Sequence, residues 1–405
     1  MRKRLWAVFA VAGPGLLAGL SDDDPAGITT YSVLGADHGY RLLWVLLAST
    51  VALIMFHNLA ARLGVVTGQG MAGLIRQQYG VRAGVGALAA LVVANVGTTV
   101  AEFAGIAAGW ELFGVRRQIA VPLTALIIIV LVRRGSFRIV ERVLLALSAV
   151  FVSYIVAGFL AGPDWGAAAT GLVVPTMPLT RDAVYITVAT IGTTLAPWGL
   201  SFVQSYVLDK HLTPHDLRAS RYDLVTGSVL TGVIGLFVVV ACAATLHKQG
   251  HTITDAADAA AALRPLAGDL AGTVFAIGLI GSAMLAAAIL PLSTGYSVTD
   301  VFGRPAALND TPRADPLFYG TTLTVTVLGA ALVLIPGAPL VPILVGTQIL
   351  NAVALPPLLI YLYRLGRDRD LMGPFATGRR MATAQFAMIV ALSFCVLALL
   401  FFSFL

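Results

Sequence analysis

Ser21-Asp22-Asp23-Asp24-Pro25-Ala26-Gly27 interrupts an apolar run that starts near residue 5 and resumes at Ile28-Thr29-Thr30-Tyr31. Pro25 has no backbone donor and biases Asp24 away from helical angles, while Gly27 tolerates unusual ones. The apolar pieces on either side are each too short to cross a bilayer alone, so the break lies at membrane depth. Non-helical backbone persists there only where it lines a cavity or is buried in protein. A carboxylate at that depth costs at least ~2.5 kcal/mol on insertion scales, and such residues mark ion pathways.

The rest of the chain fits this reading. Of its 405 residues 58% are hydrophobic and only 11% charged, with a mean hydropathy of +0.88. A soluble domain carries roughly a quarter charged residues, so this chain cannot coat a water-facing surface of ordinary size. Runs long enough to cross about 30 Å of hydrocarbon occur at 5–34, 41–62, 87–113, 118–133, 143–162, 182–208, 222–246, 266–298, 317–336, 340–363 and 382–404. Arg2, Lys3 and Arg4 before the first run resemble a signal peptide, but ten further spans and no convincing cleavage site favour a retained helix. With the N-terminus in the cytoplasm, 20 basic residues fall in cytoplasmic segments and 6 outside. That asymmetry supports the orientation and the odd span number, and places the C-terminus outside. The polar connections near 63–86, 247–265 and 299–316 hold no soluble domain, although Ala-rich 256–263 reads as a small surface helix. One membrane domain, 1–405, is expected, in the cell membrane and in contact with lipid. The +6 charge belongs to the membrane topology and not to nucleic acid. Cys242 and Cys395 lie far apart in apolar stretches, with no disulfide or thiolate site to be read.

A second break lies in the sixth span, at Gly192-Thr193-Thr194-Leu195-Ala196-Pro197-Trp198-Gly199. Spans one and six are matching members of two five-span halves, about 5–165 and 180–365, with 382–404 as an extra helix. Interrupted segments in matching positions point to an inverted-repeat transporter whose site lies at the midplane. A carboxylate beside freed carbonyls is a hard-oxygen environment, suited to Mg²⁺, Mn²⁺ or Ca²⁺. Asn95, Thr99 and Glu102 share a face of span three, and Gln348 and Asn351 share one of span ten.

These residues resemble those of the natural-resistance-associated macrophage protein (NRAMP) family of divalent metal transporters. Asp24-Pro25-Ala26-Gly27 is similar to that family's Asp-Pro-Gly-Asn motif. Ala61-Arg62-Leu63-Gly64-Val65-Val66-Thr67-Gly68 resembles the end of its second helix, and Ala101-Glu102-Phe103-Ala104-Gly105 its third-helix motif. Gln348, Leu355-Pro356 and Asp370-Leu371-Met372-Gly373 resemble its tenth helix and the segment after it. The resemblance implies an all-α integral membrane protein of eleven transmembrane helices, with the LeuT-type 5+5 inverted repeat, broken helices one and six, and alternating access. It implies a transported divalent cation and no cofactor, with a single copy of the chain sufficing. Asp24, Gly27, Ala196, Gln348, Ser21 and Thr193 are the implied metal-site positions. Asp23, Glu102, Trp198, Gly199, Asn95 and Asn351 are secondary or gating candidates.

Departures from the pattern shape the expectation. The family's Met-Pro-His-Asn reads Ala196-Pro197-Trp198-Gly199 here, and its helix-one Asn is Gly27. Losing the thioether removes the soft ligand that favours Mn²⁺ or Fe²⁺ over Mg²⁺. Smaller side chains leave room for an ion that keeps several waters, as Mg²⁺ prefers. This pattern resembles the NRAMP-related magnesium transporters. Trp198, Val203 and Thr99 stand where coupling relatives keep titratable groups, and span nine contains no charge, so transport uncoupled from protons is expected. A proton-coupled Mn²⁺/Fe²⁺ importer is the alternative within the family. An organic-solute carrier is disfavoured by the Asp22–Asp24 cluster. A non-transporting sensor lacks a signalling domain, and a membrane-embedded enzyme lacks HExxH, Gly-x-Ser-x-Gly and clustered histidines. His38, His57, His211, His215, His247 and His251 fall mostly in or near loops.

Overall fold

The computed structural model describes residues 23–134, 149–304 and 314–403, and all of its regular structure is helical. Eight helices are long and apolar enough to cross a membrane, and they coincide with the second, third and sixth to eleventh spans of the sequence reading. The fourth span is the shorter apolar helix α5 (Arg117–Arg134). The first is described only from its break onward, as α1 (Pro25–His38), so Gly13-Pro14-Gly15 and Ser21 lie outside the described residues.

The fifth span differs from expectation. The chain leaves α6 (Ser153–Leu160), turns by 120° and forms α7 (Trp165–Val173). Asp164 caps α7 by accepting from the Ala167 N–H at 2.9 Å. The polar connection 63–86 also contains a helix, α3 (Met71–Tyr79), which buries Met71, Ala72, Leu74 and Ile75. Ala256–Ala261 is helical as expected, but Ala259 and Ala260 are buried, so it is not a simple surface helix.

Two long helices frame the centre. The helix α4 (Val81–Glu111) packs against α12 (Ala271–Val301), α13 (Pro316–Val333) and α14 (Leu340–Arg367). The helix α2 (Leu43–Thr67) packs against α9 (Pro197–Asp209) and α10 (Leu217–Cys242), with α11 (Ala256–Ala261) lying against α12. Between these two groups sit α1 and α8 (Arg181–Thr194), and α15 (Arg379–Ser403) packs outside α8 and α14. The hydrophobic clusters lie to the sides of the breaks. One surrounds Ile28, Tyr31 and Leu34, another joins α2 to α14 and α15, and a third joins α4, α12 and α13. Large apolar side chains remain on the outside, with Phe394 71% and Ile119 62% exposed. On a soluble protein these would be a liability, whereas hydrocarbon solvates them.

Both breaks are built alike. Asp24 (φ −78, ψ 169) and Ala196 (φ −77, ψ 142) are extended, and each precedes a proline that opens the next helix. Proline suits the first helical position because its missing N–H would have had no partner there. Close helix approaches then fix the half-helices in place. A Cβ on Gly105 of α4 would stand 2.3 Å from the Pro25 Cβ, and one on Gly192 of α8 only 1.9 Å from the Gln348 carbonyl oxygen.

Candidate functional site

Asp24 is 3% exposed, and its carboxylate accepts from the Gly27 N–H at 2.5 Å. That bond caps α1, and the half-helix directs its positive end at the acid. The charge is therefore held by backbone, leaving the carboxylate free of a competing basic side chain. Glu102 of α4, wholly buried, lies within electrostatic reach of Asp24. Neither of its carboxyl oxygens has a hydrogen-bond partner of ordinary geometry among the described residues. Asp23 is also buried.

At the second break Pro197 has no N–H, so the Thr193 carbonyl loses the helical donor that would lie four residues on. The Thr193 hydroxyl is 3% exposed and has no hydrogen-bond partner among the described residues. Ala196 is buried beside it, and Gln348 adjoins this break through the tight contact of its carbonyl with Gly192. A chain of polar groups holds Gln348. Asn351 donates to its Oε1 at 2.9 Å and lies 3.0 Å from the Thr98 hydroxyl of α4.

Asn95, Thr99 and Glu102 occupy one stripe of α4 as the spacing predicts, but they meet three different neighbours. Asn95 donates to Thr294 of α12 at 2.9 Å, Thr99 packs against Gly329 of α13, and Glu102 faces Asp24 of α1. His57 lies in mid-helix in α2, 2% exposed, away from the loops.

Trp198 begins an aromatic ladder along α9. Its ring centroid lies 6.2 Å from that of Phe202, which stacks on Tyr206 at 5.1 Å. Trp198 and Phe202 pack against Leu285, Ala286, Ile289 and Leu290 of α12. Gly199, within the same first turn, is buried. Beyond Tyr206 opens a vestibule of ≈ 840 Å³, lined among others by Gln69, Arg76, Ser205, Asp209, Asp300 and Arg304. The vestibule does not reach Asp24, Ala196 or Gln348. The aromatic ladder and α12 stand in between.

Among the described residues no group of three or more His, Cys, Asp or Glu side chains could hold a metal. A cation at the breaks would thus be met by carboxylate, amide, hydroxyl and carbonyl oxygens, the donors that suit hard ions. Sequence reasoning missed Thr98, Phe202, the close approach of Gly192 to Gln348 and the Tyr31–Thr194 contact. The four-residue spacing of Trp198, Phe202 and Tyr206 was a readable signal. The others depend on which helices become neighbours.

The Natural resistance-associated macrophage protein-like family model matches residues 15–402. A relative described as divalent metal cation transporter MntH, from Burkholderia ambifaria, is 30% identical over 387 residues, which span 93% of this chain and 85% of the relative. Among solved structures, the Eremococcus coleocola manganese transporter superposes with a TM-score of 0.79 at 20% identity, covering 97% of this chain and 86% of that one. MhsT in complex with L-phenylalanine superposes at 0.58 with 14% identity, covering 96% and 97%. At these identities the two structures speak to the fold alone.

Proposed function

The chain belongs to the natural resistance-associated macrophage protein-like family, and from that premise we propose that it carries divalent metal cations across a membrane by alternating access. It is a multi-pass α-helical membrane protein with the LeuT-type transporter fold, and its relatives are described as transporters, not enzymes. The observation that carries the proposal is the pair of matched, proline-led breaks. One presents the Asp24 carboxylate, and the other the Thr193 hydroxyl and a carbonyl freed by Pro197.

In this reading Asp24 supplies the charge, Gln348, Thr193 and Ser21 supply oxygens, and Gly27 and Ala196 leave the space. Asn351 orients Gln348. Glu102 and Asp23 set the local field, Asn95 braces α4 against α12, and Trp198 with Gly199 forms the barrier between site and vestibule. The basic residues around the vestibule support a cytoplasmic side for it, with the N-terminus on the same side and the C-terminus outside. The repeats run over about 5–165 and 180–365, and one copy of the chain forms the path.

Mg²⁺ with Mn²⁺ is the proposed substrate range, without proton coupling. An all-oxygen site with small residues at 27 and 196 favours a cation that keeps waters. An inside-negative potential provides about 2.3 kcal/mol per charge per 100 mV, so a divalent ion enters without a second gradient. Uptake of Mg²⁺ and Mn²⁺ into proteoliposomes tests this. Flux of both ions, with each inhibiting the other, is expected. Mn²⁺ flux that ignores excess Mg²⁺ and requires a pH gradient would favour the proton-coupled Mn²⁺/Fe²⁺ importer instead.

A further inference from the structure

A second polar cavity, of ≈ 380 Å³, lies where α14 ends and α15 begins. Arg367, Arg369 and Arg379 line it, together with the hydroxyl-bearing residues Tyr363, Thr377 and Thr383. Arg364 and Arg380 flank it, and all five arginines are exposed. The ion pair found among the described residues joins Arg117 to Glu111, so none of these five is paired with a carboxylate. Asp368 and Asp370 belong to the same segment but do not line the cavity. The Asp368 carboxylate accepts from the backbone N–H groups of Asp370 and Leu371.

The cavity has a fixed frame. The Thr377 N–H donates to the Gly366 carbonyl at 2.7 Å, and Arg62 of α2 donates to the Thr377 hydroxyl at 2.6 Å. Arg367 donates to the Tyr363 hydroxyl at 2.8 Å, which holds its guanidinium at the rim. The N–H groups of Arg379, Arg380 and Met381 precede the first bond of α15, from Ala382 to Gly378, and so have no helical acceptor.

Its position is as informative as its charge. One apolar span ends at Arg367 and the next starts at Arg379, so the cavity sits at the level where hydrocarbon gives way to headgroups. Phe386 lies 5.9 Å from Tyr363 between ring centroids and begins a row with Val390 and Phe394, all more than half exposed. We propose that this cavity binds the phosphodiester headgroup of an anionic phospholipid, with its acyl chains along Phe386, Val390 and Phe394. Guanidinium forks match phosphate oxygens in pairs, and basic pockets between spans attract anionic lipid. Free phosphate shares the headgroup chemistry but makes no use of the apolar row.

Native mass spectrometry of the full chain, with phosphatidylglycerol, phosphatidylcholine or inorganic phosphate added, tests the site without measuring transport. Arg369→Gln with Arg379→Gln removes two exposed, unpaired charges that the fold does not use. The double variant should lose phosphatidylglycerol affinity about 30-fold, the effect of two surface arginines at about 1 kcal/mol each. Arg116→Gln, near the opposite end of α14, should bind it as the unaltered chain does, and phosphatidylcholine should bind weakly throughout. Equal retention by the double variant, equal affinity for phosphatidylcholine, or displacement by inorganic phosphate at the same concentration would each overturn the proposal.

Discussion

The Tyr31 phenol and the Thr194 hydroxyl lie 2.9 Å apart, joining the half-helix that follows the first break to the one that precedes the second. Thr194 also donates to the Thr190 carbonyl, so Tyr31→Phe leaves it satisfied. The variant should lose about 1 kcal/mol of stability, as for one buried neutral hydrogen bond. If the contact also sets how the two half-helices move together, the maximal uptake rate should change several-fold with little change in half-saturation. Proteoliposome uptake beside a thermal melt separates the two effects.

Asp24 caps α1 and, in the proposed reading, supplies the charge of the site, and two substitutions separate the cap from the charge. Asp24→Asn keeps an oxygen to cap the Gly27 N–H and removes the charge. Asp24→Ala removes both, at a further cost of about 1 kcal/mol for the lost cap. Both should abolish metal uptake, while only the Ala variant melts clearly lower. Uptake by the Asn variant at the normal rate would remove Asp24 from the site.

Much of this was legible because membrane depth makes interruptions costly. Pro25 and Pro197 cannot be ignored in apolar runs, so both breaks were readable from the residues around them. The helix α7 was not, since only Ala161-Gly162-Pro163-Asp164 separates it from α6 and the 120° turn there depends on how the chain packs. The helix α3 was hidden for another reason. Four buried residues in nine do not stand out within a polar connection. At the site, the sequence placed Gln348 on a helix face, but nothing local revealed that Gly192 is its neighbour. Contacts across 156 positions of sequence are set by topology, and a glycine's reason for being small appears only once its partner is known.

Gly192 therefore makes its own test. A Cβ there would meet the Gln348 carbonyl at 1.9 Å, whereas one on Gly272 would meet nothing within 4 Å. Gly192→Ala should push α8 from α14, lower stability by about 1–3 kcal/mol as overpacking does, and sharply reduce uptake. Gly272→Ala should be neutral or raise the melting temperature, because alanine gains up to about 1 kcal/mol over glycine in a helix.

Selectivity should follow the side chains at the two breaks. Gly27→Asn with Ala196→Met narrows the site and adds a thioether. The double variant should gain affinity for Mn²⁺ and Cd²⁺ relative to Mg²⁺, since soft donors discriminate in that direction. Calorimetry on the purified protein reads the ratio directly. Unchanged relative affinities would mean that these two positions do not set the choice of ion.

Proton coupling offers the sharpest division between the two readings of transport. A coupled carrier needs groups that exchange protons along a connected path. Glu102, buried beside Asp24, is the acid such a path would use. Around it, Thr99 donates to the Asn95 carbonyl, Trp198 is packed among aliphatic side chains of α12, and α13 carries no charged residue. With Asp24 given to the metal in the proposed reading, Glu102 can hold a proton without passing it on. Liposomes containing a pH dye, with Mg²⁺ or Mn²⁺ outside and an inside-negative potential, should show metal entry without acidification above that of empty liposomes. Acidification in proportion to metal flux, abolished by Glu102→Gln, would instead show that Glu102 suffices and that the protein is a proton symporter.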